Sequence, residues 1–301
     1  MLYSELIIFL RIVWLDMSKA KRLIVNADDF GISSGVNKGI LEAHKQGIVT
    51  STSLMVNMPY ADEAVRMKKS LAPRLGLGLH LTLSWGKPIL PAREVPSLVT
   101  SEGTFPNAFD IRPWTFKADH LRAEMSAQLQ RFKELTGEMP DHIDNHQFVA
   151  NILPKAFSVL IDLSKKHGIP IRNPSPFLDI KTLKDLLENM AGGKISIIVL
   201  IFLKKYIESN QAILKQHEKP EWPDRFEYHF YKHGSDLDNL VNILRELPEG
   251  TTELMCHPGY IEDLDEPYRF PREVELRLLT NPKILDLIKI QNIELISFAE
   301  L

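Results

Sequence analysis

The sequence predicts an α/β protein, a single-domain (β/α) barrel of TIM-like form, on three observations. Short apolar runs alternate with amphipathic segments along most of the chain. Strand-then-helix order recurs about six or seven times, and parallel neighbours require a crossover that is usually helical. No glycine-rich phosphate loop follows any of the strands, which ranks the barrel above a doubly wound open sheet, the alternative. At 301 residues, with 44% hydrophobic and 25% charged, the chain has the size and composition for such a barrel.

The elements follow in order. "LIVNA" (Leu23–Ala27) is the first strand. The helix after it starts at Ser33 or Ser34, either a good N-cap, keeps Val36, Ile40 and Ala43 on one face, and stops at Gly47. "STSLMVN" (Ser51–Asn57) reads as a strand, Tyr60–Leu71 as a helix, and "RLGLGLHLTL" (Arg74–Leu83) as a strand. Trp85–Trp114 is proline-rich and without period, so it reads as a long functional loop over one barrel face. A long helix (Asp119–Leu135), a short strand at "DHIDNH" (Asp141–His146), a helix (Leu153–Gly168) and a strand at "IPIR" (Ile169–Arg172) come next. The remainder reads as helix Ser235–Leu247, strand Thr252–His257, helices Glu273–Leu279 and Asn281–Ile290, and strand Ile293–Phe298. Residues 1–20 form an N-terminal extension, with Met17 a second plausible start, and residues 21–301 the barrel domain.

Bulk charge narrows the function. A net charge of −3 and a pI near 6.4 give no electrostatic case for nucleic acid or an anionic membrane. Cys256 is the only cysteine, so no intrachain disulfide forms, which points to a reducing, cytoplasmic setting. The N-terminal "SELIIFLRIVWL" is broken by Glu5 and Arg11 and too short to span a bilayer. "ISIIVLIFL" (Ile195–Leu203) is also too short, and is read as core, with a homodimer interface as the other reading.

The chemistry lies in where polar residues fall. Asp28 and Asp29 end the first strand, His80 lies near the end of the third, Asp144 and His146 end "HIDNH", and His257 ends "ELMCH". Strand C-termini of a barrel converge on one face. Each residue has a plain explanation: a turn for the aspartates, a hydrogen-bonded core position for His80, a Pro-Gly turn for His257. Four such explanations must then all place an acid or histidine at the same end of a strand. One carboxylate and two imidazoles make a divalent-ion site with positions left for water. A second carboxylate can take a proton from that water, and a histidine across the site can protonate a leaving amine. Adjacent strand residues point to opposite faces, so Asp28 and Asp29 are expected to divide the two tasks.

With those residues assembled, the chain resembles the YdjC-like carbohydrate deacetylases, the family of chitooligosaccharide deacetylases and hopanoid-associated relatives. The matching pieces are "NADDFG", "GVNKGILEAHKQGIVTSTSLMVN", "GLHLTLSWGKPILP", "HIDNH", "MCHPGY" and "REVEL", in family order. The resemblance implies a distorted (β/α) barrel, one divalent metal ion (Mg2+ or Zn2+), and hydrolysis of an acetamido group on an N-acetylated sugar. Mapped by motif, it implies Asp29, His80 and His146 as metal ligands, Asp28 as general base, His257 as general acid and Arg172 as an orienting cation. Arg272 and Glu275 match a further motif, which an exposed i, i+3 ion pair on a helix explains equally well. The family pattern H-[QH]-H-V-H is not kept: Phe148 and Ala150 stand where its later histidines would be. Phe148, Trp85 and Trp114 are the candidates to stack on sugar rings. Three alternatives stay open: hydrolysis of another amide or a phosphoester, iron(II) oxygen chemistry on the same triad, and a degenerate carbohydrate-binding protein.

Overall fold

A computed structural model describes residues 20–301 apart from 218, 265 and 267; the N-terminal extension lies outside the described residues but for Ala20. Seven parallel strands form one sheet that curls into a half-barrel, in the order β4-β3-β2-β1-β6-β5, with β7 pairing the start of β1. The strands are β1 (Lys21–Phe30), β2 (Ser51–Leu54), β3 (Gly76–Leu81), β4 (Ile143–Asn145), β5 (Arg225–Glu227), β6 (Gly250–Cys256) and β7 (Ile293–Leu295). β1 is central, and Leu23, Ile24 and Val25 are sealed from solvent, as expected of a strand covered on both faces. Each such side chain contributes about 1.5–3 kcal/mol through burial.

The expected strand Ile169–Arg172 shrinks to a single bridge between Ile171 and Ile143. Pro170 and Pro174 flank it, and proline has no N–H to extend a ladder. β5, not foreseen from the sequence, is only three residues long. The barrel therefore stays open between β4 and β5.

Nine helices of eight residues or more surround the sheet among the described residues: α1 (Ser34–Gln46), α2 (Ala61–Leu71), α3 (Ala118–Thr136), α4 (Pro154–His167), α5 (Ile180–Ala191), α6 (Ile197–Gln216), α7 (Leu237–Arg245), α8 (Arg269–Leu279) and α9 (Pro282–Ile290). The Ser33 hydroxyl caps α1 by accepting from the Val36 N–H at 3.1 Å. α1 then lies against the loop after β6. A Cβ at Gly39 would sit 2.5 Å from the Gly259 Cα, so only glycine lets the two backbones approach. Gly39→Ala is expected to cost about 1–3 kcal/mol as overpacking, read as a lower urea midpoint. An unchanged midpoint would mean that the loop moves aside freely.

α5 escapes the sequence reading, and α6 corrects it. The apolar run Ile195–Leu203 opens a helix, but most of it is not core. Leu203, Ile207 and Asn210 face inward at spacings of four and three, one helical stripe. Ile197 and Ile198 are 70% and 64% exposed, and Val199, Ile201 and Phe202 are exposed as well. In the first turns of α6, Leu200 is half-buried against the same cluster as Leu203 and Ile207, and the residues around it stay in solvent. No helix among the described residues is long and apolar enough to cross a membrane.

Candidate active site

The two aspartates end β1 on a bulge. Asn26 and Ala27 pair with Ser51 and Thr52, yet Phe30 pairs with Leu54, so Asp28 and Asp29 together face Ser53. Asp29 takes the left-handed conformation at φ 70°. An extra residue re-aims the side chains of a strand. Both carboxylates consequently line the same cavity, each 2% exposed. The expectation of opposite faces holds for a regular strand and fails at this irregular one.

Three donor atoms converge on one point. Asp29 Oδ1 lies 3.2 Å from His80 Nε2 and 3.0 Å from His146 Nδ1, and the three ligand atoms are all within 4.8 Å of one another. β3 delivers His80, and the turn after β4 delivers His146. The other His80 nitrogen, Nδ1, is held by Asp144 Oδ1 at 2.8 Å, with the Ser53 hydroxyl at 3.0 Å. A carboxylate on one ring nitrogen leaves the other turned toward the centre, the arrangement that orients metal-bound histidines. Arg272 closes the far side of Asp29, donating Nη2 to Oδ2 at 2.6 Å.

The electrostatics describe a centre that holds positive charge. Burial works against a charged His80, but Asp144, Asp29 and Asp28 overcome it and push the imidazole up to about 10. Burial likewise opposes the Asp29 charge, and Arg272, His146 and His80 outweigh it, holding the carboxyl well below its usual range. Two imidazole nitrogens and a carboxylate oxygen, pre-oriented by Asp144 and Arg272, fit a divalent ion.

A second trio, Asp28, His80 and Asp144, also has its ligand atoms within 4.8 Å of one another. Its position is already filled by a guanidinium. Arg172 Nη2 lies 2.7 Å from Asp28, 2.9 Å from Asp144 and 2.7 Å from Glu253, buried to 1%. The Asp28–Arg172 pair is bidentate, at 2.7 and 2.8 Å, and Asn26 Nδ2 donates to the same carboxylate at 2.8 Å.

His257 follows β6 and looks at Asp28 from across the cavity, Nε2 to Oδ2 at 4.0 Å. Burial dominates over the pull of Asp28 and Asp29 and, with Arg272 and Arg172 nearby, lowers this ring to about 4. It rests neutral. Its backbone N–H donates to Glu275, and Nδ1 is buried without a hydrogen-bond partner among the described residues. Tyr231 and Tyr268 stack at 4.4 Å and cover the ring from one side.

Arg272 and Glu275 are not an exposed helical pair. They are 1% and 0% exposed, and α8 turns them inward, Arg272 to Asp29 and Glu266, Glu275 to His257, Tyr268 and Ser235. Trp85 and Phe148 line the cavity, Trp85 edge-on to His146 at 6.2 Å. Phe148 packs on Phe177 at 4.8 Å, in line with an apolar wall in place of family histidines. Ala150 is fully buried and donates its N–H to Asn145. Gln147 and Phe148 are both left-handed, at φ 53° and 59°, a conformation rare for a bulky residue and costing about 1–3 kcal/mol each. Trp114 stands apart: it is 76% exposed and lines a neighbouring groove rather than the cavity of the other site residues.

Sequence reasoning passed over Asn26, Ser53, Glu253, Tyr231 and Tyr268, and gave Asp144 no role. Glu253 did leave a signal, a lone charge in the apolar strand "ELMC". The tyrosines left none.

The family model for YdjC-like protein matches residues 22–289. A carbohydrate deacetylase of Thermoanaerobacter pseudethanolicus is 36% identical over 282 residues, covering 93% of this chain and 98% of that protein. A chitooligosaccharide deacetylase of Proteus mirabilis is 32% identical over 301 residues, covering 94% and 99%. Among solved structures, an Enterococcus faecalis V583 protein described as a candidate for cellobiose-phosphate cleavage superposes with a TM-score of 0.75 at 32% identity, covering 93% of this chain and 98% of that one.

Proposed function

Because the chain belongs to the YdjC-like protein family, we propose that it is a metal-dependent deacetylase of N-acetylated amino sugars, the substrate class its named relatives suggest. The observation that carries this reading is the convergence of Asp29, His80 and His146 on one point, flanked by Asp28 on one side and His257 on the other. Asp29, His80 and His146 would hold the divalent ion. Once bound, such an ion polarises the acetamide carbonyl and makes a neighbouring water acidic enough to attack near neutral pH.

The chain's own residues do the rest. Asp28 accepts the proton of the attacking water, and its carboxylate is kept in place by Arg172 and Asn26. Water adds to the acetyl carbon, the C–N bond breaks, and acetate and a free amine leave. The amine nitrogen needs a proton to depart. His257 rests neutral, so it must acquire that proton during the reaction; the proton taken by Asp28 is the source, relayed by one water across the 4.0 Å between them, and His257 passes it to the nitrogen. Trp85 and Phe148 offer flat faces to the sugar ring. A cavity of 290 Å3 takes about one sugar residue with its acetamide.

The test is metal content together with acetate release from chitooligosaccharides. Purified protein incubated with Zn2+ or Mg2+ and then desalted is expected to retain about one ion per chain. His80→Ala is expected to lose most of it, because the Asp29 and His146 pair then lacks its third ligand. Protein that binds neither ion would sink the reading.

A further inference from the structure

We infer that Tyr231 is a further catalytic residue, whose phenolic O–H donates a hydrogen bond to the acetyl carbonyl oxygen as negative charge builds there. The role rests on the deacetylase reading proposed above.

When water adds to the acetyl carbon, the π bond of the carbonyl opens and its electron pair moves onto the oxygen. That oxygen stays charged until the C–N bond breaks. A donor fixed in place beforehand stabilises it without reorganising, and acts most strongly where the charge is greatest.

Besides the histidines, the cavity wall around Asp29 and His257 offers Arg272, Lys232, Tyr268 and Tyr231 as donors. The first three are committed. Arg272 donates to Asp29 and Glu266, and its remaining nitrogen, Nη1, is buried away from solvent. Lys232 gives its ammonium to the Asn189 and Met190 carbonyls at the end of α5, at 3.3 and 2.5 Å. Tyr268 gives its hydroxyl to Glu275. The Tyr231 hydroxyl makes no hydrogen bond among the described residues and is not sealed off from the cavity it lines. A free O–H in a catalytic cavity is a donor without an acceptor.

Its place fits the carbonyl oxygen. The Tyr231 ring lies 5.4 Å from that of His257, which protonates the leaving nitrogen, and Asp29 is the charge acting most strongly on the phenol. The carbonyl oxygen shares its carbon with that nitrogen, so it falls between His257 and the ligand set. Burial raises the phenol well above its ordinary value and the Asp29 charge adds to the shift, so the proton stays on the oxygen and is available to donate. The ring is also held still. It stacks on Tyr268 at 4.4 Å and 10°, and Tyr268 Oη accepts from the Lys232 N–H at 3.1 Å. Glu275 takes both the Tyr268 hydroxyl and the His257 N–H, so one buried carboxyl anchors the acid and the stacked pair together.

The experiment compares Tyr231→Phe with the parent, both loaded with the same divalent ion, by acetate release from chitooligosaccharides. Each is also titrated calorimetrically with N-acetylglucosamine and with the methylphosphonamidate of glucosamine, whose tetrahedral group carries a charged oxygen in place of the carbonyl oxygen. Phenylalanine keeps both ring contacts and removes no hydrogen bond within the protein, so urea midpoint and metal content should match the parent. The value of kcat is expected to fall about 10²-fold, the effect of losing one such donor. KM should stay within about twofold, as for an interaction made only in the transition state. Phosphonamidate binding should weaken by about tenfold or more while N-acetylglucosamine binding does not change. The pH–rate profile should keep both limbs, because Tyr231 transfers no proton. A kcat within about tenfold of the parent overturns the proposal, as does phosphonamidate binding that does not weaken. A raised KM at unchanged kcat overturns it too, and assigns the hydroxyl to a sugar oxygen in the ground state. Loss of a limb of the pH profile overturns it by making Tyr231 a proton donor. A parent that releases no acetate removes the deacetylase reading and this role with it, whereas an active parent matched by its variant removes the role alone.

Discussion

Asp28→Asn is expected to lower the rate of acetate release by about 10²–10⁴-fold, the span a positioned general base contributes. The substitution keeps shape and removes the ability to take a proton at the pH of the reaction. Asp29, His80 and His146 are untouched, so the metal content of the variant should match that of the parent. Folding should survive as well. Arg172 loses one of three carboxylate partners but keeps Asp144 and Glu253, at 2.9 and 2.7 Å. Acetate release and metal content measured on one preparation separate the two roles. A rate within tenfold of the parent would remove Asp28 as the base. A lost ion would mean that Asp28, not Asp29 alone, holds it.

Arg172→Met should produce the largest loss of stability in the fold. One guanidinium compensates three buried carboxylates, Asp28, Asp144 and Glu253, none more than 2% exposed. Removing one member of a buried ion pair typically costs about 3–5 kcal/mol, because the charge left behind has neither water nor a partner. The loss should depend on pH in a definite sense. Burial raises Glu253 to about 7, even though Arg172 opposes the shift. Between its unfolded value of 4.5 and about 7, the folded protein binds more protons at Glu253 than the unfolded chain does, so this residue's contribution to stability falls as pH rises. Without Arg172, the Glu253 carboxyl is pushed higher still and stays neutral further up the scale. Urea denaturation of parent and variant should therefore show the wider gap at pH 8 and a narrower one at pH 5.5. A gap below about 1 kcal/mol, or one equal at both pH values, would show that the three carboxylates find other compensation.

Much of the architecture was legible because it follows from local pattern. Alternating strands and helices imply parallel pairing, and parallel pairing gathers strand C-termini on one face. That logic alone brought Asp28, Asp29, His80, His146 and His257 together, and the structure places all five around one cavity. The apolar run before Leu203 misled, since hydrophobicity reports a preference for burial and not the presence of a neighbour to bury against. Arg272 and Glu275 misled for the complementary reason. Charged residues at i and i+3 read as surface, and only packing of α8 across the barrel mouth turns them onto Asp29 and His257.

By itself, the sequence determined which residues the chain would bring to one end of the sheet, because strand order and the 2.0 and 3.6 periodicities are local properties. It did not determine how they are aimed. "NADDFG" reads as a strand whose two aspartates must part company, and the alternation of a regular strand says the same. The bulge against Ser53 and the left-handed Asp29 reverse that, bringing both carboxylates into one cavity with Arg172 on the first and Arg272 on the second. Register between β1 and β2, and the charges waiting beside β4 and on α8, are set by residues far away in the chain. A bulge and a buried ion pair cost free energy locally and are stabilised only by those distant partners, so the tertiary structure alone decides them.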